Sequence, residues 1–384
     1  MKHNSGWLLA LAVLFLAAPT AVDAEGAKEM DFGGDFPRAC ADCHGPEPKY
    51  PVLGARTMFN RSGHYNFQNS YYANGGGCQP CHTNEGFIEY ARTGKEPAAS
   101  AYINYPSQQG CFTCHDPHGK GDFSLRTAKA VTLADKKVFD GGNGNLCATC
   151  HRARVTAAGT VKALAAKDVR SSFGAHHGPQ ADILAGTGAY QYPGKSYGSS
   201  PHALIVKDSC VACHMSLPKG RYGLSPDVGG HSFNVLGEVH EQELANVFAC
   251  LSCHAGIKQV PRAEIFDLKA KADYDNDGTV EPVQAEIQGL LEVFVNGKGT
   301  GLLQKTDPPM FKKDAEGTFE SLSADWVVSA SGQWTAAQIA ALYNYKLILE
   351  DRSLGVHNAT YTIQVLYDTI ESLTGLDTSA RRPR

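Results

Sequence analysis

The chain has 384 residues, 42% of them hydrophobic, with 35 Lys and Arg against 39 Asp and Glu and a formal net charge of −4. That length suffices for one large or two ordinary domains, and the charge balance gives no sign of nucleic-acid binding. Twelve cysteines, forty glycines and nineteen prolines point to a loop-rich chain whose cysteines carry chemistry.

Residues 1–24 read as a secretory signal peptide. Lys2 supplies a thin basic n-region, Trp7 to Ala18 a short apolar core, and Val22-Asp23-Ala24 a small-residue cleavage point. The apolar run is too short for a membrane span, and no cysteine stands at the cleavage point for a lipid anchor. The expectation is an exported protein with no stable membrane span, in the periplasm or at the outer cell surface.

Residues 25–260 repeat one phrase six times: Cys-x-x-Cys-His. The copies are Cys40/Cys43/His44, Cys78/Cys81/His82, Cys111/Cys114/His115, Cys147/Cys150/His151, Cys210/Cys213/His214 and Cys250/Cys253/His254. Each reads as an attachment site for haem c, the two thiols forming thioethers and the next residue presenting its imidazole to the iron. Paired Cys-x-x-Cys units also build zinc sites or redox dithiols, but neither explains a histidine after every pair. All twelve cysteines are used. The segments between motifs are rich in Gly, Asn, Tyr and Ser and read as loops with short helical turns. Little there points to strands, and an insert without a motif spans residues 152–209.

One histidine leaves the second axial position of each iron to be filled. Setting aside the six motif histidines and His3 in the signal, eight remain: His64, His118, His176, His177, His202, His231, His240 and His357. Six are expected to bind iron from the distal side: His64, His118, His177, His202, His231 and His357. His177 is favoured narrowly over His176, and His240 is read as part of an acidic helix face between Glu238 and Glu243. Met30, Met58, Met215 and Met310 are the only methionines beyond the signal. The haems are therefore expected to be bis-histidine, low in potential and coordinatively saturated.

Residues 261–384 read as a helical C-terminal region. Ile287, Leu290, Leu291 and Phe294 follow helical spacing. Ile339, Leu342 and Tyr343 do so after a candidate N-cap at Thr335, and Ile363, Leu366, Ile370 and Leu373 before a candidate C-cap at Gly375. The last two helices flank residues 353–358 and form either a hairpin or a collinear stack. The tail, Arg381 to Arg384, is expected to fray. Asp273, Asp275, Asp277, Thr279 and Glu281 stand at alternate positions of a calcium loop, with Gly278 for the sharp turn. Gln284 replaces the usual bidentate glutamate at position twelve, and Glu286 is the nearest substitute.

These residues together resemble the multihaem c-type cytochromes of anaerobic, often metal-reducing, bacteria. The resemblance rests on the six motifs, on Cys-His-Asp-Pro-His-Gly at 114–119, His-His-Gly-Pro-Gln-Ala-Asp at 176–182, Gly-Gly-His-Ser-Phe at 229–233 and Gly-Val-His-Asn at 355–358, and on the calcium-like loop. It covers nearly all of the chain after the signal. It implies a mainly α fold with extensive coil, wrapped around a chain of six haems, with the C-terminal helices and one calcium ion packed on the haem core. It also implies electron transfer in anaerobic respiration, with other cytochromes or an extracellular electron acceptor as partners. The competing reading is a nitrite, hydroxylamine or sulfur-oxyanion reductase with one open iron. Related nitrite reductases often carry Cys-x-x-Cys-Lys at that haem, and this chain has none. A filament, in which one distal histidine comes from the next subunit, is a further alternative.

Overall fold

The computed structural model describes residues 52–66, 70–71, 73–220, 223, 225–239, 241–255, 257, 268–311 and 330–384. The signal peptide, the first motif (Cys40, Cys43, His44) and His240 fall outside the described residues.

From residue 52 to 255 the helices are short: α1 Val52–Phe59, α2 Gly63–Asn66, α3 Gln79–His82, α4 Asn84–Thr93, α5 Cys111–Cys114, α6 Pro117–Lys120, α7 Asn145–Cys150, α8 Ala157–Leu164, α9 Gln180–Leu184, α10 His202–Ile205 and α11 Cys210–His214. Local chemistry explains their brevity. Thr83 caps α4 by accepting from Gly86 N, and Gly94 ends it at φ +68°, a left-handed conformation that glycine takes without strain.

Two hairpins depart from the sequence expectation. β1 (Val131–Thr132) pairs antiparallel with β2 (Val138–Phe139), where loop was expected. β4 (Leu236–Val239) pairs antiparallel with β5 (Gln242–Ala245), where an acidic helix was expected. Glu241, at φ +62°, breaks any helix there, and Leu244 is instead buried against Val228. A third pairing ties the insert to the C-terminal region: β3 (Asp168–Arg170) lies antiparallel to β6 (Ser331–Gln333).

The main core gathers around three longer helices: α12 Val283–Phe294, α13 Ala336–Asp351 and α14 Ala359–Thr374. Thr335 caps α13 in a capping box with Gln338, and Gly375 ends α14 at φ +73°. α13 is buried on most of its circumference. It folds back on α14 as a hairpin, with Asn344 Nδ2 donating to Thr369 Oγ1 at 3.0 Å. The cluster continues into Ala157 and Val161 of α8 and Ile183 of α9, and the Tyr343 hydroxyl donates to Val155 O at 2.8 Å. The fourth motif therefore runs directly into segments seated on the C-terminal helices. A smaller core joins Val131, Leu133 and Phe139 to Ala148, inside that motif, and to Ala181 and Leu184.

The tail is docked rather than frayed. Arg382 donates to both oxygens of Asp368 at 2.8 and 2.9 Å and sits 5.1 Å from the Tyr197 ring centre. Asp368 is buried, and a buried carboxylate needs such a partner. The described chain is thus mostly helix and coil with a few short strands. Among the described residues, no helix is long and apolar enough to cross a membrane.

Candidate functional site

The second to fifth motifs each occupy a single helical turn, α3 (with Cys78 as its N-cap), α5, α7 and α11. Residues i and i+3 share one face of a helix, so the spacing aims both thiols of a motif the same way. The ten described cysteines are free thiols.

The sixth motif departs from this pattern. Cys250, Cys253 and His254 lie in a hydrogen-bonded turn, closed by His254 N donating to Cys250 O at 2.8 Å and Cys253 N to Cys250 O at 3.1 Å, and no helix continues from it. Cys253 is exposed, whereas Cys81, Cys114, Cys150 and Cys213 are half-buried. The reason is local. Cys81 and Cys150 lie against each other's motifs, while Cys253 is met by the hydroxyl of its own neighbour, Ser252, at 3.7 Å. Cys78 and Cys111, each the first thiol of its motif, are exposed as well. An exposed thiol is open to covalent attachment in a way that a sealed one is not.

Each of the five described motif histidines faces one spare histidine. Ring centres are 6.1 Å apart for His82 and His176, 6.1 Å for His115 and His231, and 5.9 Å for His151 and His64. They are 6.3 Å apart for His214 and His357, and 6.2 Å for His254 and His202. Two metal–imidazole bonds of about 2 Å, plus roughly 1.2 Å from each nitrogen to its ring centre, put the rings of a metal-bridged pair about 6.4 Å apart. The five separations match that figure. They leave room for one metal atom between the rings.

The other ring nitrogen is engaged in six of these histidines. Nδ1 of His115 lies 2.7 Å from Phe123 O, of His214 2.9 Å from Phe233 O, and of His202 2.9 Å from Val356 O. Nδ1 of His151 lies 3.1 Å from Gln180 Oε1, of His176 3.3 Å from His177 O, and of His357 2.7 Å from Asp351 Oδ1. An acceptor there fixes the proton on Nδ1 and leaves the Nε2 lone pair for a metal. Burial, with His151 and His214 nearby, pushes His64 down to about 4. Burial and the neighbouring His176, Arg154 and His177 bring His82 to about 4. Burial also lowers His214 and His231. These rings are neutral at neutral pH, the form that binds metal. Burial pulls His357 down too, but the Asp351 carboxylate outweighs it and leaves it raised.

The site fits a porphyrin in its surroundings as well. Leu204 and Ile205, following His202, are 86% and 61% exposed, Phe112 between Cys111 and Cys114 is 48% exposed, and Leu217 after the fifth motif is 57% exposed. Apolar surface beside paired imidazoles is what a porphyrin face would cover.

Motifs distant in sequence adjoin in space. Cys150 Sγ lies 3.7 Å from Pro80 O and Cys81 Sγ 3.9 Å from Thr149 O, so the second and fourth motifs sit back to back. The neighbouring Cys150 holds the Cys81 thiol below its ordinary range. On the other side of the fourth motif, Ser209 Oγ donates to Gly141 O at 3.0 Å and Asn143 N to Asp208 Oδ1 at 3.0 Å, which seats the turn before the fifth motif against the turn before the fourth. Phe233 joins three sites. Its ring lies 5.1 Å from that of His64 and 6.2 Å from that of His231, while its carbonyl accepts from His214.

Two expectations about the distal ligands change. His177 was favoured over His176, but His176 faces His82, and His177 directs Nδ1 to Glu350 Oε2 at 3.0 Å. His118 lies against Phe112, ring centres 5.7 Å apart, and does not pair with a described motif histidine. Gln180 and Phe233 stand in the 176–182 and 229–233 stretches, with no role assigned to them from the sequence, and Asp351 was not singled out; all three orient paired rings.

In the acidic loop, Asp273, Asp275 and Asp277 bring carboxylate oxygens within 4.8 Å of one another, and the Glu281 carboxylate stands outside that cluster. Gly278 turns at φ +100°. Glu286 is not a substitute ligand. Its two oxygens accept from Tyr274 N at 2.6 Å, Asp275 N at 3.1 Å and Glu281 N at 2.8 Å, bracing the loop against α12.

No family model matches the chain, and no curated protein matches it. Two solved structures resemble it. One is the outer cell wall cytochrome OcwA, at 20% identity and a TM-score of 0.43, over 83% of this chain and 50% of that one. The other is an undecahaem cytochrome from the S-layer of Carboxydothermus ferrireducens, at 16% identity and a TM-score of 0.37, over 85% of this chain and 40% of that one. The chain spans half or less of the length of either cytochrome.

Proposed function

We propose that this chain is an exported multihaem c-type cytochrome that carries electrons between redox partners, with six haems c on its six Cys-x-x-Cys-His motifs and each iron held between two histidines. The observation that carries this reading is the set of five motif histidines, each facing a spare histidine at 5.9–6.3 Å between ring centres. The distal ligands are then His176 for the second motif, His231 for the third, His64 for the fourth, His357 for the fifth and His202 for the sixth. His118, also expected as a distal ligand, faces no described motif histidine. A haem bound in this way takes up and releases one electron at its iron. The chain's own residues set the terms of that exchange. Phe123 O, Phe233 O, Val356 O and Gln180 hold the imidazoles in the metal-binding tautomer, and the back-to-back motifs decide which sites are neighbours. The fourth motif adjoins both the second and the fifth, so the order of sites in space differs from their order in the chain.

The donor is a reduced redox protein, and the acceptor another cytochrome or an extracellular oxidant. The acidic loop holds one calcium ion through Asp273, Asp275 and Asp277 and pins α12. A reductase needs one iron with an open face, and no described motif histidine lacks a facing imidazole.

The test is low-temperature EPR and visible spectroscopy of the oxidised, fully loaded protein, titrated with nitrite, hydroxylamine and carbon monoxide. Six low-spin haems that ignore all three ligands are expected. A high-spin haem that binds any of them would overturn the saturated-carrier reading in favour of the reductase.

A further inference from the structure

Six paired histidines have an identified Nδ1 partner, and the partners are not equivalent. Five are neutral: the carbonyls of Phe123, His177, Phe233 and Val356, and the side-chain amide of Gln180. The sixth is a carboxylate, Asp351 Oδ1, 2.7 Å from His357 Nδ1. Asp351 ends α13, with its side chain only 2% exposed.

The contact is built rather than incidental. The Ser353 hydroxyl donates to Asp351 Oδ2, and Ser353 Oγ in turn accepts from His357 N at 3.2 Å. Asp351, Ser353 and His357 thus close a ring that fixes both the carboxylate and the imidazole. The same helix end braces the neighbouring site, because Gln180 Nε2 donates to Glu350 O and Asp351 O at 3.2 and 3.3 Å while its oxygen faces His151. Two adjoining sites are therefore anchored to one turn of α13, one through a charge and one through a neutral amide.

A carboxylate on Nδ1–H makes Nε2 a stronger donor and leaves a buried negative charge beside the metal. Both effects stabilise the oxidised iron over the reduced one. We infer that Asp351 is a positioning residue that lowers the reduction potential of the haem held by Cys210, Cys213, His214 and His357 below that of the haem at the fourth motif. The result is a fixed step between two adjacent electron sites. This inference rests on the ligand assignment of His357 proposed above.

The test uses the full-length, fully loaded protein in a redox titration followed by EPR. H357A first identifies which low-spin signal depends on His357. D351N keeps the size of the side chain and an acceptor oxygen but removes the charge. In D351N that one signal is expected to titrate at a higher potential and to shift in its low-field feature, with the other five unchanged. D351E is expected to bring it back towards the parent. S353A, which retains the charge, is expected to leave the midpoint low. If H357A alters none of the low-spin signals, the ligand assignment itself fails. If the signal is identified but D351N leaves its midpoint in place, the inference about Asp351 is wrong. It is equally wrong if all six midpoints move together, or if S353A raises the midpoint as far as D351N does.

Discussion

The adjacent pair His176 and His177 shows how much a single residue's surroundings decide. Both are histidines in a glycine-flanked loop, and nothing in their order distinguishes them. His176 adopts φ +76°, and the two rings, 5.4 Å apart and edge to face, meet different partners. One ring goes to His82, the other to Glu350 at the end of α13. Replacing His176 by alanine should therefore convert one low-spin haem of six to high spin, a loss of about one sixth of the low-spin EPR intensity. H177A should keep all of it. The reverse result would return the ligand role to His177. Asp351 and Gln180 belong to the same scale. Each is an ordinary polar residue until the fold sets it against an imidazole.

Periodicity made α12, α13 and α14 legible as elements, and the caps at Thr335 and Gly375 are those expected from their residue types. These helices bury apolar side chains against one another, so their spacing survives in the sequence. The β4–β5 hairpin and the docked tail were missed for a common reason. Their hold comes from distant partners, Val228 for Leu244 and Asp368 for Arg382. The acidic loop was readable as a pattern, yet Glu286 took a role that the pattern does not encode, accepting three backbone N–H groups. Calcium at a hundredfold its Kd should stabilise the protein by about 2.7 kcal/mol, which raises Tm by about 5 °C. A chelator should reverse this, and D275N should abolish the calcium-dependent part. Identical melting curves with calcium and with chelator would remove the ion from the proposal.

At the scale of the whole molecule, the paired histidines act as cross-links between segments far apart in the chain. α2 reaches the fourth motif, the loop before β4 reaches the third, and the turn between α13 and α14 reaches the fifth. Iron held across such pairs, as proposed, would close long loops and couple loading to folding. The same pairs set a pH dependence. His64 and His82 fall from 6.5 unfolded to about 4 folded. Between those values the unfolded chain binds more protons than the folded one, so stability falls as pH drops through the window and holds level above it. Iron on the same nitrogens acts in the same direction. Thermal unfolding of the loaded protein should give a lower Tm at pH 4.5 than at pH 7, with little change from pH 7 to 8. A Tm that is flat or rises on acidification would contradict the neutral, metal-binding state of these rings.

By itself the sequence marked out the residues that suit haem attachment, because two thiols for the thioethers and one axial histidine are written in five consecutive letters. It also determined the C-terminal helices, whose burial repeats at helical spacing. Only the tertiary structure decided which histidine faces which motif, which motifs adjoin, and which carboxylate or carbonyl orients each ring. Those relations join residues from distant parts of the chain, and they exist only once the core around α13 has brought their segments together.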